Sequence, residues 1–160
     1  ITRGIARIAL GLQKNIILGN LNSKRDWGHA KDFVYAMWLI LQHDKPDDFV
    51  ISTGIQISIR HFIIKAFKKI GVEIEFKGEG IDEIGCITSN TGIYDNLKVG
   101  DKVIAIDEFY FRPTEVESLI GDYSKAKNDL GWEPKHSIDD LIDEMIEADL
   151  AETRISLSNL

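Results

Sequence analysis

Two short segments of the sequence combine arginine with carboxylate, amide and aromatic side chains. The first runs from residue 18 to residue 30 and reads LGNLNSKRDWGHA, and the second covers residues 109–115 and reads FYFRPTE. Binding groups concentrate in loops that a rigid scaffold positions, and arginine binds phosphate groups through paired hydrogen bonds. Together the two segments predict an anionic ligand that carries a flat ring, such as a nucleoside diphosphate.

Each segment also has a purely structural interpretation. Arg25 and Asp26 could cap and solvate the start of the helix that follows them, and Arg112 could form a surface salt bridge in a packed turn. Pro113 disfavours helical backbone at Arg112 and so keeps its guanidinium out of any helix. From the residues alone, both interpretations stay open for both segments.

A second possible catalytic pattern is Tyr-x-x-x-Lys, in which an ammonium group lowers the pKa of a neighbouring phenol so that it can take a proton. Four tyrosines and 13 lysines in 160 residues would give about 0.3 matches by chance and give two here, so the pattern alone is weak evidence. Neither match lies in a helix of suitable length and position, so neither is predicted to be catalytic: Tyr94 with Lys98, and Tyr123 with Lys127.

The usual nucleotide and hydrolase motifs are missing from this sequence. It contains no phosphate-binding P-loop, no G-x-S-x-G and no H-E-x-x-H. Gly78, Glu79 and Gly80 follow a predicted strand, but no amphipathic helix comes after them. Because a dinucleotide pyrophosphate needs a helix N-terminus directly after the glycine turn, this segment is interpreted as an ordinary loop.

The elements that must position the two arginine segments alternate between helix and strand, which predicts an α/β or α+β fold. Ser58 and Ser137 are predicted N-caps, and Gly71 and Gly131 are predicted to end helices. Helices are predicted over residues 1–12, 30–41, 58–70 and 122–130 and from 137 onward, and strands over residues 16–18, 49–51, 72–77 and 102–106.

Two further expectations concern burial and loops. The helix over residues 30–41 is predicted to bury one apolar stripe, formed by Phe33, Val34, Met37, Trp38 and Leu41. Residues 78–102 are rich in Gly, Asn, Asp and Ser and show no periodicity, so they are predicted to form a long surface excursion, hairpin-like in places.

Composition excludes several classes of protein. The chain has 160 residues, is 44% hydrophobic and carries a net charge of −7, which indicates a globular protein and argues against general nucleic-acid binding. Its longest apolar run has nine residues, too few to span a membrane. A single cysteine, Cys86, favours a cytoplasmic location. Because the chain begins at Ile1, without a methionine, it is predicted to be cut from a longer protein.

Three blocks of residues are informative when taken together: RDWGHAKDFV with AMW after it (residues 25–38), FRPTEV (residues 111–116), and SKAK with LGW after it (residues 124–132). They give the chain a strong resemblance to GDP-mannose 4,6-dehydratases, within the extended short-chain dehydrogenase/reductase superfamily. The block that ends in LGW is shared more widely in the superfamily, whereas the other two are typical of the dehydratases. Phe111 differs from the tyrosine that is usual there.

The resemblance implies a fold and a division of the protein. The chain would be the C-terminal portion of an extended short-chain dehydrogenase, a Rossmann-type α/β fold. Residues 1–153 would form mostly the smaller substrate-binding domain and residues 154–160 a tail, with the N-terminal cofactor domain missing.

The resemblance also implies an activity for the parent protein. These enzymes are NADP-dependent lyases that convert GDP-mannose to GDP-4-keto-6-deoxymannose, the first step toward GDP-fucose and related sugars. Hydride leaves C4 of the hexose for the nicotinamide, water leaves across C5 and C6, and hydride returns to C6. The cofactor loop and the catalytic residues would lie upstream, so this chain would carry no catalytic or cofactor-binding residue, bind no metal and be inactive alone.

The resemblance assigns substrate-binding roles to Asn20, Arg25, Arg112 and Glu115. The two arginines would bind the diphosphate of GDP-mannose, and the two other side chains the ribose or base. The full-length protein is expected to be a homo-oligomer that contacts neither nucleic acid nor membrane.

Two alternatives remain. One is another extended short-chain enzyme, a nucleotide-sugar epimerase or reductase, and the other is a non-catalytic nucleotide-sugar binding module.

Overall fold

A computed structural model describes residues 1–116 and 118–158 of the chain. Its larger sheet has four strands in the order β1, β6, β5, β4, and a two-stranded antiparallel ribbon pairs β2 with β3. Strand β1 runs parallel to β6, whereas the β6–β5 and β5–β4 pairs are antiparallel. The strands are β1 (Ile16–Leu18), β2 (Lys24–Asp26), β3 (Gln56–Ser58), β4 (Val72–Lys77), β5 (Ile84–Asn90) and β6 (Lys102–Ile106).

The described residues form five α-helices, of which helices 1 and 3 pack on the larger sheet and helix 5 packs on helices 1 and 3. The core contains apolar side chains of helices 1, 3 and 5 packed on inward-facing residues of the sheet, such as Val72, Ile87 and Ile104. No helix among the described residues is long and apolar enough to cross a membrane. The helices are α1 (Thr2–Ala9), α2 (Ala30–Gln42), α3 (Ile59–Lys69), α4 (Ser124–Leu130) and α5 (Ile138–Ser158).

The predicted helix ends are confirmed by hydrogen bonds and backbone angles. Ser58 Oγ accepts from the His61 N–H at 3.2 Å at the start of α3. Gly71 and Gly131 both have the left-handed φ, +76° and +66°, that follows a helix C-terminus. Ser137 and Asp140 exchange hydrogen bonds, as in a capping box, at the start of α5.

Two sequence predictions, for residues 84–90 and for residues 49–51, are wrong, and the helix that begins after Ser137 is longer than its apolar pattern. Residues 84–90 form β5, an inner strand of the sheet, and not part of a surface excursion. Sheet pairing on both sides stabilises β5 although its residues show no clean alternation. Residues 49–51 do not form a strand, because no strand among the described residues pairs with them. The segment beyond Thr153 continues α5 as far as Ser158, and residues 159 and 160 of the predicted tail lie outside the described residues.

The predicted burial of α2 is also wrong on one side of the helix. Val34, Met37, Trp38 and Leu41 are each more than half exposed. The opposite side of α2, which contains Ala36, packs on a second small core around the fully buried Trp132. Helix α2 is therefore apolar on both sides but is covered by this chain on only one.

Asp32 on α2 joins this helix to the segment that leads into α5. Its carboxylate accepts hydrogen bonds from the main-chain N–H groups of Lys135 and His136, at 3.0 and 2.9 Å, and lies 2.8 Å from His136 Nδ1. Its carbonyl oxygen accepts from the indole N–H of Trp132 at 2.9 Å. Burial raises the pKa of Asp32, but the hydrogen bonds from His136 and Lys135 outweigh it, so the pKa lies below its ordinary value.

We predict that Asp32→Asn lowers the free energy of unfolding by about 2 kcal/mol at pH 7, because hydrogen bonds to a buried charge are lost. A carboxyl whose pKa is lowered on folding stabilises the protein above about pH 4 and loses that effect as the pH falls through its folded value. Urea unfolding of the two proteins should therefore show a difference at pH 7 that shrinks at pH 3. The exposed Asp44→Asn is the control, and a difference that is equal at both pH values would contradict the prediction.

Candidate functional site

The site begins at the edge of the sheet where two parallel strands end side by side. Leu18, the last residue of β1, pairs with Ile106, the last residue of β6. The Asp107 N–H donates to the Leu18 carbonyl at 3.0 Å, so the pairing continues one residue further. Because both strands end at the same edge, the two segments that follow them, residues 19–29 and residues 107–116 with 118, enter the same space.

Gly19 allows the two segments to come into direct contact. A Cβ atom added there would lie 2.1 Å from the main-chain oxygen of Tyr110, closer than any side chain tolerates. The requirement is one of space, since Gly19 is not among the positive-φ glycines. Glycine at this position thus lets residue 20 reach the main chain of residue 112.

Asn20 fixes the main chain of Arg112 with two hydrogen bonds. Its Nδ2 donates to the Arg112 carbonyl and its Oδ1 accepts from the Arg112 N–H, both at 2.8 Å. The side-chain amide therefore pairs with residue 112 as a neighbouring strand would. This contact spans 92 positions of sequence and sets where the Arg112 side chain starts.

Arg25 holds the part of the second segment around Glu115 and Val116. It lies on β2, and its Nη1 donates to the carbonyls of Lys24 and Val116 at 2.8 and 2.9 Å. Its Nη2 donates to Glu115 Oε1 at 2.8 Å. Arginine has five N–H groups. Three of those on Arg25 donate to these protein oxygens, and the other two have no acceptor among the described residues.

The Glu115 carboxylate brings the two guanidinium groups into one place. Its Oε1 pairs with Arg25, and its Oε2 lies 4.0 Å from Arg112 Nη1. Glu115 is largely buried, whereas the Arg112 side chain is 75% exposed. The structure therefore unites all four residues singled out from the sequence, with Arg25 held by protein acceptors and Arg112 open to solvent.

A cleft of about 640 Å³ lies beside this cluster, a size typical of small-molecule sites. Asn20 and Glu115 line it, and the two arginines lie next to lining residues in the chain without lining it themselves. Sequence reasoning did not single out Lys24 or Ser118, although Lys24 is in the first segment and an isolated parallel bridge joins the two. The other lining residues are Asn22, Ser23, Pro113 and Thr114.

A second cavity, of about 330 Å³, is more apolar and contains no arginine. Trp27 lines it, with its ring stacked on Phe62 at 4.4 Å between centroids, and Lys135 and His136 supply polar groups. Neither cavity is lined by an arginine, but Arg25 and Arg112 adjoin lining residues of the first cleft, and no arginine adjoins those of the second. The first cleft is therefore the candidate site for an anionic ligand.

The weaker sequence patterns have structural explanations. Tyr94 is buried outside any helix, and Lys127, the partner of Tyr123, forms an ion pair with Glu133 at 2.8 Å. The residues around Gly80 form a single 3-10 turn between β4 and β5, with no helix after it. This hairpin turn does not fit a dinucleotide pyrophosphate. No group of three or more His, Cys, Asp or Glu side chains suited to a metal occurs in residues 1–116 and 118–158.

Comparison with known proteins gives a consistent result. Residues 1–145 match the family model described as GDP-mannose 4,6 dehydratase. The chain is 51% identical over 155 residues to the GDP-mannose 4,6-dehydratase of Yersinia enterocolitica, and 45% identical over 150 residues to that of Homo sapiens. The two matches cover 96% and 94% of this chain but only 42% and 38% of the relatives. The chain therefore spans about two fifths of the relatives' length.

Solved structures share the fold at low sequence identity. An RMD structure from Pseudomonas aeruginosa, complexed with NADPH, has a TM-score of 0.68 and 18% identity, and the match covers 94% of this chain and 41% of that one. A UDP-glucose 4-epimerase from Bifidobacterium longum, complexed with NAD+ and UDP, has a TM-score of 0.63 and 18% identity, with 95% and 39% covered. These likenesses show a mixed α/β fold that matches part of such enzymes. The family model and the sequence relatives go further: this chain belongs to the GDP-mannose 4,6-dehydratase family.

Proposed function

We propose that this chain is the part of a GDP-mannose 4,6-dehydratase that binds the GDP moiety of its substrate. The observation that supports this most is the shared contact of Arg25 and Arg112 with Glu115, beside a cleft of ligand size. The parent protein would convert GDP-mannose to GDP-4-keto-6-deoxymannose. Because the chain spans about two fifths of its relatives, the remaining three fifths would bind NADP and supply the catalytic residues.

The geometry suits a diphosphate because it offers one mobile and one fixed guanidinium. Arg112 faces solvent and has only a 4.0 Å contact with Glu115, so it can turn toward a phosphate at little cost. Arg25 keeps its orientation and can offer its remaining N–H groups. Two arginines near one carboxylate leave a net positive charge, which favours the doubly or triply negative diphosphate.

Asn20 and Glu115 would act on the ligand in different ways. Asn20 holds the Arg112 main chain with both of its amide atoms and so positions that guanidinium. Glu115 lines the cleft, and its carboxylate can accept a hydrogen bond from a ribose hydroxyl. These four side chains bind and orient the nucleotide, while hydride transfer and loss of water occur on atoms held by the rest of the protein.

The alternatives are less well supported. Likeness to epimerase structures at 18–23% identity reflects the common fold only. A non-catalytic module is not favoured by identities of 45–52% to proteins described as dehydratases from bacteria, a nematode and a mammal. The dehydratase therefore remains the proposal.

We predict that this chain alone forms no 4-keto product from GDP-mannose and NADP, whereas a hybrid protein does. In the hybrid protein, this chain replaces the matching 42% of the Yersinia relative. Product is measured by mass spectrometry of the nucleotide sugar. Turnover by the isolated chain would contradict the division of roles, and an inactive but folded hybrid protein that binds NADP would contradict the proposed reaction.

Nucleotide competition in the same experiment separates the proposal from its nearer rival. GDP should displace GDP-mannose from the hybrid protein at lower concentrations than UDP or dTDP. Equal or stronger displacement by UDP or dTDP would favour an epimerase or reductase of a different nucleotide sugar.

We predict that Arg112→Ala in the hybrid protein weakens GDP-mannose binding by about 1.5 to 3 kcal/mol, the effect of losing a hydrogen bond to a charged group. This corresponds to about a ten- to 150-fold higher dissociation constant, measurable by calorimetry. Arg3→Ala is a matched control, because Arg3 is 71% exposed and has a comparable 3.8 Å contact with Glu152. An unchanged constant for Arg112→Ala would mean that Arg112 is a surface turn residue.

A further inference from the structure

The short loop between β1 and β2, here called the 20–23 loop after its residues, connects the anchoring side chains of the candidate site. Asn20 at its start holds the main chain of Arg112, and Arg25 follows shortly after its end. A shift of this loop would therefore move both guanidinium groups. No residue of the loop belongs to a helix or a strand, so its position depends on contacts with other elements.

The first turn of α3 supplies these contacts. The Ile59 N–H donates to the Ser23 carbonyl at 3.1 Å, and the Arg60 N–H donates to the Leu21 carbonyl at 2.9 Å. Main-chain N–H groups in the first turn of a helix lack partners within the helix, so they are available for such bonds. The Arg60 side chain adds two more, because its Nε and Nη2 donate to Asn22 Oδ1 at 3.2 and 2.9 Å. Three consecutive residues of the loop are thus held by two residues of α3.

Arg60 is itself held by the hairpin of β4 and β5. Its Nη1 and Nη2 donate to the two carboxylate oxygens of Glu83, the second at 3.0 Å, and its guanidinium lies 4.7 Å from the centroid of the Phe76 ring. The side chains of Arg60 and Glu83 are only 22% and 11% exposed, so solvent screens this pair little. A planar guanidinium that is already paired and stacked loses little further freedom when it also binds Asn22.

The chemistry of Arg60 determines what residue 22 must provide. Arginine carries N–H donors and no acceptor, so only the carbonyl oxygen of the Asn22 amide can face it. Asn22 lines the cleft, whereas Arg60 is not among the residues that line it. An acceptor oxygen on residue 22 is therefore the feature that connects the cleft to Arg60.

We propose that Arg60 is a positioning residue for GDP-mannose binding, acting through Asn22 on the 20–23 loop. This inference rests on the proposed function and extends it to residues outside the cleft. The position of the loop decides how well the guanidinium groups of Arg25 and Arg112 converge on a diphosphate. Because the reacting atoms of the sugar would be held by the rest of the protein, the effect falls on substrate binding and not on the chemical step.

Steady-state kinetics of the hybrid protein with GDP-mannose test this role. Asn22→Leu removes the acceptor at an exposed position and should raise KM about tenfold, the effect of losing one hydrogen bond to a charged group, with kcat changed less than about twofold. Asn22→Asp keeps an acceptor for Arg60, so its KM should stay within about threefold of the unmodified value. Simple loss of folded protein would instead lower kcat and leave KM unchanged.

Asn96→Leu is the matched control. It removes the hydrogen bond of 3.1 Å from Asn96 Nδ2 to the Ile8 carbonyl, in the loop that leads into the start of β6, whereas the cleft follows the end of that strand. We expect its KM to equal that of the unmodified hybrid protein. A rise in KM as large as that of Asn22→Leu would contradict the proposal.

A double-mutant cycle tests whether Arg60 acts through Asn22. Arg60→Lys keeps a positive charge beside Glu83 but lacks the planar fork that binds Glu83 and Asn22 together, so it should also raise KM about tenfold. Combined with Asn22→Leu, it should raise KM less than about twofold further, since both changes break the same contact. Multiplied effects would show that the two residues act separately and would overturn the proposal.

The unmodified hybrid protein separates this inference from the proposed function. If it binds GDP-mannose and Asn22→Leu leaves KM unchanged, or Asn22→Asp raises KM as much as Asn22→Leu does, the positioning role of Arg60 is wrong and the proposed function stands. If the unmodified hybrid protein is folded and does not bind GDP-mannose, the proposed function is wrong and this inference fails with it.

Discussion

The ion pair between Arg25 and Glu115 is the interaction on which the candidate site depends. Residues 107–116 contain turns but no helix or strand, and Ser118 forms only a single bridge, so side-chain contacts help to hold this segment in place. Arg25 supplies two of these contacts, to Glu115 and to the Val116 carbonyl, and donates a third hydrogen bond to its own neighbour Lys24. The Glu115 side chain is 18% exposed, so the Arg25 guanidinium offsets part of the cost of taking its charge out of water.

The ion pair with Glu115 gives Arg25 and Arg112 different roles. Arg25 uses most of its donors within the protein, and Arg112 uses its main chain for anchoring and keeps its side chain free. A fixed and a mobile cation around one carboxylate can close on an anion without reorganising the loop, which reduces the entropic cost of binding. The two arginines can lie this close because β1 pairs in parallel with β6 and because Gly19 has no side chain.

The sequence predicted local structure well wherever a side chain or a glycine acts on its own helix. Ser58, Gly71, Gly131 and Ser137 were all placed correctly, because caps depend on neighbouring residues. Strand β5 was missed, since its stability comes from partners on both sides. The strand at residues 49–51 was predicted from β-branched and aromatic residues, but strand formation needs a neighbour that the described chain does not provide.

The same reasoning applies to the candidate site. The residue types in the two segments predicted an anion-binding pair of loops, and the family resemblance named Asn20, Arg25, Arg112 and Glu115. Their convergence depends on the parallel register of two strands about 90 residues apart in sequence, which no local pattern encodes. The asymmetry between the two arginines likewise emerges only from the hydrogen bonds of the folded chain.

The most direct test of the convergence of Arg25 and Arg112 on one diphosphate is the ¹H–¹⁵N spectrum of the arginine guanidinium groups in the hybrid protein. Signals are assigned by substitution, and GDP-mannose is compared with guanosine, which lacks phosphates. We predict that GDP-mannose shifts the signals of Arg25 and Arg112 together, with one dissociation constant, and that guanosine shifts neither. Movement of only one of the two, or equal movement of the remote Arg3, would contradict the account.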